Sequence, residues 1–137
     1  DKTISIFKGN YDYAANNIIK TFPHGLDVEV FNFKSLEKSF LESKKSYERE
    51  HVTQYIRHNP RKFKLLNYAS KINYSNVRVT VDTKEDLKLV RKIIRMEGTK
   101  VTFKKLIEFF NLNKELLIVN SESKKEHKKY NKKNNII

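Results

Sequence analysis

Residues 77–97 constrain the fold more than any other stretch of the chain. Val77, Val79 and Val81 alternate with Arg78 and Thr80 and lead to Asp82, the period-two pattern of a strand. Thr83 then stands where a helix cap belongs, with Asp86 three residues on as an approximate capping box. Leu87, Val90, Ile93 and Ile94 follow at helical spacing and are expected to form the buried stripe of that helix, which Gly98 ends. A strand that ends on a carboxylate and runs into a capped helix is the building block of an α/β fold.

The rest of the chain repeats this alternation. Ile4, Ile6 and Phe7 followed by Gly9 read as the last turns of a helix. Residues 11–16 form a strand candidate, and residues 26–33 a second one in which Leu26, Val28 and Val30 alternate with Asp27 and Glu29. The loop between them is punctuated by Pro23 and Gly25. Helices are expected over residues 34–43, with Leu36, Phe40 and Leu41 as the apolar face, and over residues 48–57, with Val52, Tyr55 and Ile56 inward and Asn59-Pro60 as the stop. Residues 63–67 make another strand. Phe103, Leu106, Ile107 and Phe110 mark an amphipathic helix, and a shorter one follows over residues 114–119. Only three or four strands are thus expected, few for a complete doubly wound sheet. Residues 121–137 form a Lys- and Asn-rich tail with no apolar period before Ile136.

Composition excludes several classes. The chain has 137 residues, no Cys and three Gly. It therefore has no disulfide framework, no thiolate metal site and no Gly-rich phosphate loop. No apolar run reaches the roughly 18 residues a membrane helix needs, and no signal peptide is visible, which points to the cytoplasm. The net charge of +13 invites a polyanionic partner. Yet 23 Lys stand against 6 Arg, beside 14 Asn, a pattern an AT-rich genome produces, and the basic residues are scattered rather than gathered into a stripe. A non-catalytic nucleic-acid module is the alternative reading, and the scatter disfavours it.

Three constellations carry possible chemistry. Asp27 and Glu29 share a strand face, suited to sugar hydroxyls or a metal, or to a solvated edge. Glu48 and His51 lie one helical turn apart, suited to acid–base work or to a polar helix face; the four His show no metal spacing. Asp82 ends a strand before a helix, where α/β folds place ligand and metal sites, or where a carboxylate stabilises a helix dipole.

These segments, in this order, resemble a known family. Tyr11-Asp-Tyr…Asn16, Thr21-Phe-Pro-His-Gly-Leu-Asp-Val-Glu-Val-Phe31, Glu48-Arg-Glu-His-Val-Thr-Gln-Tyr-Ile56 with Asn59-Pro60, and Val77-Arg-Val-Thr-Val-Asp-Thr-Lys-Glu-Asp-Leu87 are similar to the cytidylyltransferases of the spore coat polysaccharide biosynthesis protein F type, relatives of the acylneuraminate and KDO cytidylyltransferases. Position 84 is Lys where the family usually has Pro.

The resemblance implies a CTP-dependent enzyme that makes a CMP-sugar for surface polysaccharide or glycan synthesis, with Mg²⁺, a three-layer α/β/α nucleotide-sugar transferase sheet with extra C-terminal helices, and a homodimer. It implies the metal carboxylate at Asp82 and the sugar-pocket strand at Gly25, Asp27 and Glu29. Glu50 and His51 would lie near the sugar, and Arg78 would help hold triphosphate. The family's Ala-Arg-x-Gly-Ser-x-Arg loop and Gly-Asp-Cys-Pro segment have no counterpart here, and the chain opens on Asp1. It is thus expected to be the C-terminal half, with residues 1–120 as the sugar-binding part and no catalytic residue of its own, inactive alone.

Overall fold

The computed structural model describes residues 2–117. The chain divides into two compact units. The first comprises residues 2–22 and 27–73, and the second residues 23–26 and 74 onward. The polypeptide thus leaves the first unit at Pro23 and returns to it at Asp27.

The first unit is built on a three-stranded sheet in the order β2-β1-β3. β1 (Tyr13–Ala15) is central, antiparallel to β2 (Glu29–Phe31) and parallel to β3 (Leu65–Asn67). All three β1 residues are fully buried, so this strand shows no alternation. Burial on both faces removes the period-two signal. Tyr13 and Ala15 pack with Tyr55, Ile56 and Phe63, and Phe31 stacks on Tyr13. Full burial of a side chain such as Ile56 stabilises by about 1.5–3 kcal/mol.

Helices α1 (Lys2–Ile6), α2 (Phe33–Glu42), α3 (Ser46–Glu50) and α4 (Gln54–His58) complete this unit. Two expectations are corrected here. Strand 26–33 shortens to three residues, because Asn32 turns into the N-cap of α2 and its side chain accepts from Ser35 N at 2.8 Å. The expected apolar face of α2 points outward. Phe40 is 62% and Leu41 73% exposed, while Ser35, Ser39 and Ser43 are buried. The cause is polar. Asp12 accepts from Lys64 N at 2.8 Å and from both Ser35 Oγ and Asn32 Nδ2 at 3.4 Å. That network fixes the rotation of the helix.

The single helix expected over 48–57 is also two. α3 ends at Glu50 and α4 begins at Gln54. Between them Val52 is exposed and Thr53 donates to Glu29 Oε2 at 2.6 Å. Two adjacent β-branched residues, one tethered to the sheet, interrupt the helix.

The second unit contains α5 (Lys84–Glu97) and α6 (Phe103–Leu112). Its core is Val77, Leu89, Ile93, Leu106, Phe109 and Phe110, with Leu26, Val79, Val101, Leu116 and Leu117 against it. The expected strand 77–81 is realised as an isolated parallel bridge between His24 and Arg78. His24 N donates to Val77 O and Val79 N to His24 O, both at 2.8 Å. The ladder stops there because Gly25 turns away at φ +103° and Leu26 N, which would make the next rung, donates to Pro23 O at 3.2 Å.

The capping box at Thr83 and Asp86 is present in full, but the stripe of α5 is rotated from the expected one. Asp86, Leu89 and Ile93 are buried, while Leu87 and Ile94 are exposed. Asp86 must point inward to meet the backbone of residues 82–83, and Leu89 and Ile93, three and seven residues on, go with it. α6 buries Leu106, Ile107 and Phe110 as expected, and Phe109 as well, whereas Phe103 at its first turn is exposed. Leu116 and Leu117 form the start of the last expected turn; residues 118–137, the tail included, lie outside the described residues.

Candidate functional site

Each unit holds part of the expected site. In the first, Glu29 is the centre of a polar cluster. Its carboxylate accepts from Thr53 Oγ1 at 2.6 Å and from Asn17 Nδ2 at 3.2 Å, and Arg57 Nη1 lies 3.9 Å away. Arg57 Nη2 also donates to Asn17 O at 3.2 Å. The Asn17 side-chain oxygen and the Tyr13 hydroxyl are buried beside this cluster with no hydrogen-bond partner. Burial pushes the Tyr13 phenol well above its ordinary pKa, and the Glu29 charge adds to the rise. Of these groups the Glu29 carboxylate, with 26% of its side-chain surface exposed, is the acceptor that a polyol hydroxyl can reach.

The other residues expected here are not gathered around Glu29 in one row. Asp27 is exposed and precedes β2 rather than lying within it. Glu50 and His51 stand exposed at the C-terminal end of α3, where the His51 backbone N–H donates to Tyr47 O. Glu48, by contrast, is buried, with Lys45 Nζ at 4.0 Å. Asn17, Thr53 and Arg57 were not singled out from the sequence. The one local signal was the i, i+4 spacing of Thr53 and Arg57, which says only that they share a helix face.

In the second unit, Gly25, Arg78 and Asp82 come together around the His24–Arg78 bridge. Arg78 is 4% exposed, and its guanidinium pairs with Asp82 and lies 3.6 Å from Asp86 Oδ2. Asp82 keeps 38% of its side-chain surface exposed, whereas Asp86 keeps 2%. Asp86 Oδ2 also accepts from Asp82 N and Thr83 N, each at 3.0 Å. Asp86 had been read as a cap alone; nothing in the local pattern shows that it also meets Arg78.

Mg²⁺, implied by the resemblance, can be tested against the donors present. It takes hard oxygen ligands and commonly needs only one or two protein carboxylates beside phosphates. Asp82 is such a donor, partly exposed at the end of an extended segment. Among the described residues no three His, Asp or Glu side chains converge, so this part of the chain fits as the source of one carboxylate.

Two acidic groups link the site to pH. Burial would raise the pKa of Asp86, but the backbone N–H groups of Asp82 and Thr83 and the charge of Arg78 outweigh it, and the net shift is downward. Asp12 is lowered chiefly by the backbone N–H of Lys64. A carboxyl whose pKa is depressed in the folded state binds protons more readily when unfolded, so its contribution is complete above the unfolded value of about 3.9 and is lost below it. Acid titration followed by circular dichroism should show both units melting as the pH falls below about 4, with Asp86→Asn weakening that dependence.

No family model matches the chain. Over 126 residues it is 36% identical to an uncharacterized protein of Methanocaldococcus jannaschii, a match that covers 88% of this chain and 50% of that protein. A solved cytidylyltransferase from Leptospira borgpetersenii serovar Hardjo-bovis aligns with a TM-score of 0.80 and 30% identity. Its fold is similar to that of a cytidylyltransferase. The alignment covers 85% of this chain and 51% of the cytidylyltransferase, so the chain spans about half the length of the relatives it matches. This likeness does not favour the nucleic-acid module. No helix among the described residues is long and apolar enough to cross a membrane.

Proposed function

We propose that the chain is the sugar-binding half of a CTP-dependent cytidylyltransferase of the spore coat polysaccharide biosynthesis protein F type. It would activate a sugar as its CMP derivative for surface polysaccharide or glycan synthesis in the cytoplasm, within a three-layer α/β/α sheet. The observation that carries this reading is Asp82, a partly exposed carboxylate between an extended segment and a capped helix in a fold similar to a cytidylyltransferase. The outward Phe33, Phe40 and Leu41 of α2 favour the homodimer that belongs to this reading.

In the reaction, a sugar hydroxyl oxygen forms a bond to the α-phosphorus of CTP, the bond from that phosphorus to the β-phosphate bridge breaks, and pyrophosphate leaves. The hydroxyl proton passes to solvent. Mg²⁺, when bound, supplies positive charge to the triphosphate. Asp82 would hold that ion from the protein side. Asp27 and Glu29 would accept sugar hydroxyl donors, Glu29 with 26% of its side-chain surface exposed. Glu50 and His51, both exposed, would meet the outer part of the sugar. Arg78 faces carboxylates, so its contribution to triphosphate binding would pass through Asp82.

Two measurements test this reading. Incubated with CTP, Mg²⁺ and a panel of acidic sugars, the chain alone should release no pyrophosphate, because it holds no Gly-rich phosphate loop. Titrated with a CMP-sugar and Mg²⁺, it should show saturable shifts of the backbone amides of residues 24–29 and 78–83. Turnover by the chain alone would refute the division of labour, and shifts confined to other residues would refute the site.

A further inference from the structure

We infer that Arg78 and Asp86 are positioning residues for Asp82, with Asp86 as the buried counter-charge that lets Arg78 release Asp82 to a cation. The inference rests on the reading of Asp82 as a metal carboxylate and goes beyond it. A guanidinium does not lose its proton in a protein. Buried as Arg78 is, at 4% exposure, it needs a carboxylate at all times, since an unpaired buried charge is strongly destabilising. Were Asp82 its only partner, a cation that captured Asp82 would strand that charge.

Asp86 removes the conflict. It is fixed by the N–H groups of residues 82 and 83 at the first turn of α5, and its Oδ2 lies 3.6 Å from the Arg78 guanidinium. It is 2% exposed against 38% for Asp82, so it has more to lose from an absent counter-ion and keeps Arg78 when the two carboxylates compete. The Arg78 Nε is buried without an acceptor, so the guanidinium has bonding capacity left for a changed pose. Asp82, on the exposed side, is the member of the trio that can exchange its partner. The same contacts would also follow from a purely structural clamp between the His24–Arg78 bridge and α5, and the test separates the two.

The probe is Mn²⁺ alone, added to the whole chain, with its affinity read from the paramagnetic broadening of the amides of Asp82 and Thr83 and with melting temperature measured in parallel. The parent chain should show saturable broadening there, and Asp82→Asn should abolish it. Arg78→Lys conserves charge, but a point-like ammonium cannot span both carboxylates. It should stay with Asp86 and free Asp82, tightening Mn²⁺ binding about three- to tenfold. Asp86→Asn leaves Arg78 with Asp82 alone and should weaken binding at least about fivefold. Both variants should melt earlier. Thr102→Ala, which removes the cap of α6, should melt earlier with Mn²⁺ affinity unchanged.

If Arg78→Lys and Asp86→Asn both bind Mn²⁺ as the parent does while melting earlier, the pair is a structural clamp and the inference falls, with the metal reading of Asp82 intact. If Asp86→Asn does not fold, Arg78→Lys decides alone, and an unchanged affinity overturns the inference. If the parent shows no broadening at Asp82, the metal reading falls and takes the inference with it.

Discussion

Gly25→Ala should lower the stability of the chain by about 2–6 kcal/mol, the largest loss expected from adding a single methyl group. Gly25 holds φ at +103°, a region L-residues enter only with strain that costs on the order of 1–3 kcal/mol. A Cβ there would also lie 3.0 Å from Thr80 N, from the Val79 carbonyl carbon and from Thr80 Cγ2. Two of those three atoms are backbone and cannot swing aside, so overpacking adds roughly 1–3 kcal/mol. The strain falls on the backbone beside the His24–Arg78 bridge. Gly98→Ala is the control. Its φ is +81°, but a Cβ would meet nothing within 4 Å, so its cost should be the backbone strain alone, about 1–3 kcal/mol. Urea unfolding followed by circular dichroism measures both. Equal, small losses would show that the loop relaxes freely and that the close contact with residues 79–80 carries no weight.

In a full-length enzyme that carries this half, Asp82→Asn should cut turnover of CTP by roughly 100-fold or more, because the lost charge would act on the transition state. Its melting temperature should change little. Asp82 is partly exposed, and Arg78 keeps a buried partner in Asp86. The carboxamide can still accept a hydrogen bond from Arg78 but is a poor ligand for Mg²⁺. Steady-state pyrophosphate release and a thermal melt on the same preparation decide the matter. Near-parental rates with a clearly lower melting temperature would leave Asp82 a structural partner of Arg78 and remove it from the chemistry.

The expected contrast between these two substitutions follows from where each residue's partners lie. Gly25 matters through backbone some 55 residues along the chain, which no local pattern announces; Pro23 and Gly25 mark only a turn. Asp82 was legible because its setting is local: alternating valines before it and a capped helix after it. The ion pair with Arg78 is also within reach of the sequence, four residues away, yet the sequence has no means of showing that Arg78 is buried or that Asp86 shares it.

Glu29 shows the same limit. Alternation put it on a face with Asp27, but the strand is three residues long and Asp27 lies outside it. The partners that define the Glu29 site come from 12 and 24 residues away, Asn17 and Thr53.

Chain-local chemistry determined much of this protein. The Thr83–Asp86 capping box, the stop before Pro60, the Gly98 terminus and the apolar spacing of Leu106, Ile107 and Phe110 all rest on hydrogen bonds or spacings within a few residues. Tertiary structure decided which faces α2 and α5 bury. The Asp12 network, which reaches from Lys64 N to Ser35 and Asn32, turns the serines of α2 inward against its hydrophobic pattern. The Thr53–Glu29 bond divides α3 from α4, and the bonds of Asp86 to the N–H groups of residues 82 and 83, beside buried Arg78, turn α5 toward Asp86. In each case a buried polar group had to find its partner, and leaving one unsatisfied costs about 1–3 kcal/mol. That is comparable to the gain from burying one more apolar side chain, so the rotation follows the hydrogen bonds.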